Sequence, residues 1–175
     1  QVFIDATSIT VVAEPGVISA TGTVPVHLDI AGQFATSGYE VRDPLPPVLA
    51  RIEPGSIDNN EDQRITIIGD NFRGRGTEEP TRVELLPADP SGEILPDAEP
   101  IELTVSALDI VIDLTAGADD SIERVLIAKG LLGVPPGDTR YFRVRLTNPF
   151  SGLSTIEPRP GSILEDVLLV VTAGV

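Results

Sequence analysis

Apolar and polar residues alternate with a period of two along most of this chain, which is the repeat of a strand and not of a helix. The alternation runs through Ser8-Ile9-Thr10-Val11 and through Thr23-Val24-Pro25-Val26-His27-Leu28-Asp29-Ile30. It is strictest in Arg143-Val144-Arg145-Leu146, the pattern of a sheet with one wet face and one buried face. Segments 64–68, 81–86, 101–105, 109–114 and 141–146 are each of strand length and bounded by Gly, Pro, Asn or Asp, so each predicts a strand. Glu14-Pro15-Gly16 predicts a turn between two N-terminal strands. Gly32 to Gly38 is small and polar, and Asp43-Pro44-Leu45-Pro46-Pro47 is stiff and extended because each proline restricts itself and the residue before it; this stretch marks the boundary between two parts of the chain.

One segment has two readings. Asp119-Asp120-Ser121 followed by Ile122, Val125, Leu126 and Lys129 fits an N-capped helix ending at Gly130 or Gly133, since the apolar spacing is i, i+3, i+4. Val125-Leu126-Ile127-Ala128 equally fits a buried strand, and the β character of every neighbouring segment favours the strand. Residues 163–175 end in a further strand-like run.

Composition narrows the function. The 175 residues include sixteen Gly and sixteen Pro without a collagen-like period, punctuation that suits many short strands. Twelve basic residues against twenty-seven acidic ones give a net charge of −15, so nucleic acid and anionic membrane surfaces are repelled. The apolar run Val167–Val171 is far shorter than the roughly 20 residues of a membrane helix, and no membrane span is expected. With no Cys there is neither a disulfide nor a thiolate ligand, and stability must come from packing. The chain starts at Gln1 and contains no Met, as expected of an exported, processed protein or of a fragment.

From Pro47 onward the sequence resembles the IPT/TIG family of immunoglobulin-like domains. The likeness is carried by Pro47-Val48-Leu49-Ala50-Arg51-Ile52-Glu53-Pro54-Gly55 and by Arg64-Ile65-Thr66-Ile67-Ile68-Gly69-Asp70-Asn71-Phe72, a strand running into a Gly-x-Asn-Phe turn. Pro136-Gly137-Asp138-Thr139-Arg140-Tyr141-Phe142-Arg143-Val144 then resembles the family's Pro-Gly turn before an aromatic-bearing strand, and Leu146-Thr147-Asn148 with Ser151-Gly152-Leu153-Ser154 its terminal hairpin. The resemblance implies an all-β, immunoglobulin-like β-sandwich over residues 47–158. An N-terminal strand extension or small β subdomain (1–46) would precede it and a C-terminal strand (159–175) would follow. Gly69 and Gly152 are expected at positive φ, and Phe72 with Tyr141 or Phe142 in the core. The excess over a usual unit of this family falls in 73–80, 87–100 and 115–132, which read as loop insertions. The family's fold is a scaffold and does not fix a function.

Chemistry-bearing patterns are few. His27 is the single histidine and lies in a strand pattern, with no Gly-x-Ser-x-Gly anywhere, so a hydrolytic triad is not expected. No phosphate-binding glycine loop is present, and no carboxylate pair stands out for glycoside chemistry among so many acids. Tyr39 and Tyr141 are the only tyrosines and there is no Trp, few platforms for stacking a sugar; Tyr141 is expected in the core. Calcium is the expected ligand if there is one. Asp58, Asn60 and Asp62 have the D-x-N-x-D opening of a calcium loop, although Gln63 and Gly69 stand where an EF-hand needs Gly and Glu. Asp119 and Asp120 would add oxygens from a second loop.

These features lead to one expectation and one rival. The expected protein is non-enzymatic and extracellular or particle-surface, a subunit of a filament, tube or capsid decoration. Its copies would assemble by strand exchange through the apolar terminal segments 1–13 and 163–175. The rival is an adhesion or ligand-binding immunoglobulin-like module of a bacterial surface protein, whose loop insertions form the contact surface.

Overall fold

The computed structural model of the chain describes residues 2–4, 9–11, 22–30, 32–41, 45–73, 79–113, 115, 117–149 and 151–174. The expected turn at Glu14-Pro15-Gly16, and residues 74–78 of the first expected insertion, lie outside the described residues. The chain divides into two compact units, Gln1–Pro44 and Leu45–Val175, and the division falls inside the proline-rich stretch.

The first unit contains two antiparallel pairs. Strand β1 (Val2–Ile4) pairs with β2 (Ile9–Val11), and β3 (Gly22–Ile30) pairs with β4 (Gln33–Val41) in a ribbon nine residues long on each side. Ile30 faces Gln33 across a two-residue connection in which Gly32 has φ +83°, the left-handed backbone such tight hairpins require. The small, polar run after Gly32 is therefore strand and not linker.

The second unit is a sandwich of two sheets. In chain order it comprises β5 (Val48–Glu53), β6 (Ser56–Asp58), β7 (Gln63–Asp70), β8 (Arg82–Ala88), β9 (Ile101–Leu103), a 3-10 turn (Ala107–Asp109) and β10 (Ile110–Val111). There follow β11 (Asp120–Ile127), β12 (Thr139–Asn148), β13 (Leu153–Thr155), a single helical turn α1 (Leu164–Val167) and β14 (Leu168–Thr172). One sheet has the order β10-β11-β7-β5; the other has the order β6-β14-β12-β8-β9, with β13 also beside β12. Alternate residues point inward, as in Phe142, Val144 and Leu146 of β12, which meet Ile65, Ile67 and Ile122 of the other sheet in one continuous core. The core aromatics are Phe72 and Phe142; Tyr141 faces the other way and is half-buried, which corrects its expected place in the core. Every residue of this core lies between Leu49 and Ala173, within the second unit.

The ambiguous segment is a strand, and the register explains why it imitates a helix. Along β11 the pairing with β7 runs Asp120↔Gly69 to Ile122↔Ile67, then resumes at Val125↔Ile65. Glu123 and Arg124 share one position as a bulge, with Arg124 at φ +57°. The inward residues are thus Ile122, Val125 and Ile127, spaced by three and then two, while Leu126 is exposed. β11 is the second strand of its sheet, so residues 120–127 belong to the framework and are not part of a loop insertion.

The C-terminal run does not stand apart from the sandwich, contrary to expectation. β14 lies between β6, which it pairs in parallel, and β12, which it pairs antiparallel. Leu168, Leu169 and Val171 are all buried, and a continuous apolar run with both faces covered is the pattern of an interior strand. Over Val170–Thr172 both of its edges are paired inside the same chain, so this part of the segment has no free edge to donate.

Candidate functional site

The densest polar structure lies where β7 ends. A Cβ at Gly69 would come within 1.8 Å of the Val48 carbonyl oxygen, so glycine is required by close approach of the neighbouring strand and not by positive φ; Gly152, at φ +67°, does have the expected left-handed backbone. Asn71 adopts φ +61°, and its side-chain amide donates to the Pro46 carbonyl at 3.1 Å. Phe72 then enters the core, and its N–H donates to Asp120 Oδ2 at 3.3 Å. The fully buried Thr81 hydroxyl donates to Asn148 Oδ1 at 2.6 Å and accepts from Arg73 N at 2.7 Å, while Asn148 Nδ2 donates to the Asn71 carbonyl at 2.8 Å. These buried groups are paired, which lets them lie inside without a large desolvation cost.

A chain of ion pairs spreads from the same turn. Arg159 Nη2 lies 2.6 Å from Asp70 Oδ2 and 2.8 Å from Asp119 Oδ1, and the bond to Asp119 is the main influence holding this guanidinium in its charged form. Arg51 contacts Asp119 at 3.3 Å and Glu53 at 2.7 Å. Arg159 N also donates to the Leu49 carbonyl at 2.7 Å and Ser162 Oγ to the Ala50 carbonyl at 2.9 Å, so segment 159–162 is tied along the edge strand β5. Asp120 differs from its neighbour. It is buried, accepts N–H bonds from Phe72 and Asp113, and its carboxyl is pushed above the usual carboxylate range, first by burial and further by the charge of Asp70.

The five residues expected to bind calcium fall into two separate groups. Asp58, Asn60 and Asp62 lie around the turn before β7, whereas Asp120 pairs with Gly69 at the other end of that strand; six residues of strand separate the two groups by roughly 20 Å. Asp58 Oδ1 accepts from Asn60 N, Asp62 Oδ1 accepts from Lys129 N, and Asn60 Nδ2 donates to the Gly174 carbonyl. Asn59, between them, is buried and exchanges backbone bonds with Thr172 and Gly130. This turn thereby laces together the ends of β6, β11 and β14. Among the described residues, no group of three or more His, Cys, Asp or Glu side chains is placed to hold a metal ion.

His27 Nδ1 lies 3.0 Å from Thr36 Oγ1, its cross-strand partner, on an exposed part of the ribbon. An open groove of about 460 Å³ runs beside β9, lined by Glu79, Pro80, Thr81, Arg82, Glu102, Leu103, Thr104 and Val105. Sequence reasoning missed Arg159, Asp70, Thr81 and Asn148. Arg159 and Asp70 are 89 residues apart and Thr81 and Asn148 are 67 apart, and no local motif announces such pairs. No protein-family model, curated protein or solved structure matches the chain.

Proposed function

We propose that this chain is a non-enzymatic structural protein of an extracellular or particle surface, with a rigid sandwich resembling the IPT/TIG type and an N-terminal unit through which copies associate. The observation that carries this reading is the β3–β4 ribbon. Among the described residues each of its strands pairs only with the other, and a lone two-stranded ribbon is marginal in water until another strand or surface completes it. The strand order supports the immunoglobulin-type reading: β10-β11-β7-β5 corresponds to D-E-B-A, and β14-β12-β8-β9 to G-F-C-C′. With β14 inside its own sheet, association belongs to the N-terminal strands alone.

The rival, an adhesion or ligand-binding module, draws on the groove beside β9, where Glu79, Arg82 and Glu102 would meet a partner. Sedimentation of the full chain against residues 45–175, which retain the whole core, separates the two readings. Concentration-dependent association of the full chain, absent from 45–175, is the expected result. A full chain that stays monomeric up to millimolar concentration overturns the assembly reading and leaves the adhesion module.

A further inference from the structure

We propose that residues 158–165 form a built-in cover that bars the sandwich from pairing with another copy through β5, and that Arg159 is its latch. The inference goes beyond the assembly reading, which concerns the N-terminal strands, and stands whether or not those strands associate. A sheet that ends in an unpaired strand offers its free N–H and C=O groups to a neighbouring chain, and a longer end strand offers more of them. Among the strands that end the two sheets of the second unit, β10 has two residues and β6, β9 and β13 have three each, whereas β5 has six. Val48-Leu49-Ala50-Arg51-Ile52-Glu53 contains neither proline nor lysine to discourage pairing. β5 is therefore the end strand that most needs a cover.

The chain supplies that cover itself. Pro158 bridges Leu49 in parallel, Arg159 N donates to the Leu49 carbonyl at 2.7 Å, and Ser162 Oγ donates to the Ala50 carbonyl at 2.9 Å. Successive carbonyls of a regular strand point to opposite edges. These two serve the same edge because Ala50 is an extra residue in the ladder, where the pairing with β7 passes from Leu49↔Gly69 to Arg51↔Ile68. Farther on, a Cβ at Gly55 would lie 3.5 Å from the Glu165 carbonyl oxygen, so the cover reaches past the end of β5. It does not create a new edge in turn: Pro158 and Pro160 have no N–H, and the N–H of Arg159 between them is spent on Leu49. Arg159 Nη2, 2.6 Å from Asp70 at the end of β7 and 2.8 Å from Asp119 beside the start of β11, fastens the cover to the two strands next inside β5 through charge-assisted contacts.

The core contains no residue of 158–165, so Arg159→Ala is expected to loosen the cover and leave the sandwich folded. In the full chain at about 0.15 M salt, where charge repulsion is screened, hydrogen exchange of residues 156–165 should quicken roughly tenfold or more while that of β12 stays unchanged. Sedimentation should show species larger than those of the wild type at the same concentration. Exchange also locates the new contact: residues 48–53 should exchange faster in the dilute variant and regain protection when it is concentrated. If Arg159→Ala unfolds the sandwich, Ser162→Ala, which removes one hydrogen bond and no charge, should move the same quantities in the same direction by a smaller factor. A loosened cover with no added association overturns the proposal, as does added association that leaves residues 48–53 unprotected. A cover as well protected in the variant as in the wild type overturns the latch. A wild type that is monomeric bears only on the assembly reading, because the variant's gain is measured against it.

Discussion

Arg145 and Glu84 show how one cross-strand pair sets a pH response. Arg145 Nε and Nη2 each bond a separate Glu84 oxygen at 2.7 Å across the β12–β8 register, the two-point geometry that makes such pairs strong. The hydrogen bond from Arg145 holds the Glu84 carboxyl below the usual range. A carboxyl lowered in the folded state contributes stability above its unfolded value, roughly 4.3, and loses it as pH falls through the folded one. Asp120 works in the opposite sense: its raised value means that its contribution is complete below its unfolded value, roughly 3.9, and is lost as pH rises through the folded one. Glu84→Gln should cost about 1 kcal/mol at neutral pH, and the gap to wild type should close as pH falls below the carboxylate range. Denaturant melts across that range check this; a gap independent of pH would show that the loss comes from packing and not from the charge. Residues such as these were illegible in the sequence, because Glu84 and Arg145 are 61 positions apart and only strand register makes them neighbours. The Gly69-to-Phe72 turn was legible only in part: Phe72 turns inward as expected, but Gly69 is required by the approach of Val48 from the neighbouring strand and not by the positive φ expected of it.

At the level of the element, the lesson of β11 is that a period of two survives only where the ladder is regular. β12, whose alternation is the strictest, has no register shift against its neighbours. The segment that read two ways carries a bulge, where one added residue displaced the inward set by a step; β5 has another irregularity between Leu49 and Arg51. The position of β14 was missed for a different reason: the sequence reports that Leu168-Leu169-Val170-Val171 is apolar on both faces, but not which strands will cover its edges. Arg124 holds the bulge in left-handed backbone, which costs a non-glycine residue roughly 1–2 kcal/mol. Its exposed ion pair with Asp109, at 3.1 Å, returns at most about 1 kcal/mol. Arg124→Gly should therefore be neutral or stabilising by up to about 1 kcal/mol, whereas glycine inside a regular strand weakens it. A thermal melt decides, and a clear loss of stability would mean that the bulge is held by the arginine side chain and not tolerated in spite of it.

Over the whole molecule, charge opposes the association proposed above. Each copy carries −15, so bringing two together is resisted by a repulsion that salt screens, the Debye length shortening from about 30 Å at 0.01 M to about 8 Å at 0.15 M. Self-association should tighten as ionic strength rises over that interval, the reverse of a contact held by opposite charges. Sedimentation at the two salt levels measures it, and dissociation by salt would require an interface of complementary ion pairs in place of a backbone ladder.

The interior place of β14 also bears on how the protein is made. While residues 168–172 are still inside the ribosome, β6 has no neighbour and the Thr139–Arg143 half of β12 lacks one of its two. A nascent chain at that stage holds an open slot in its second sheet, bordered by apolar side chains, and the slot closes only once β14 has emerged to fill it.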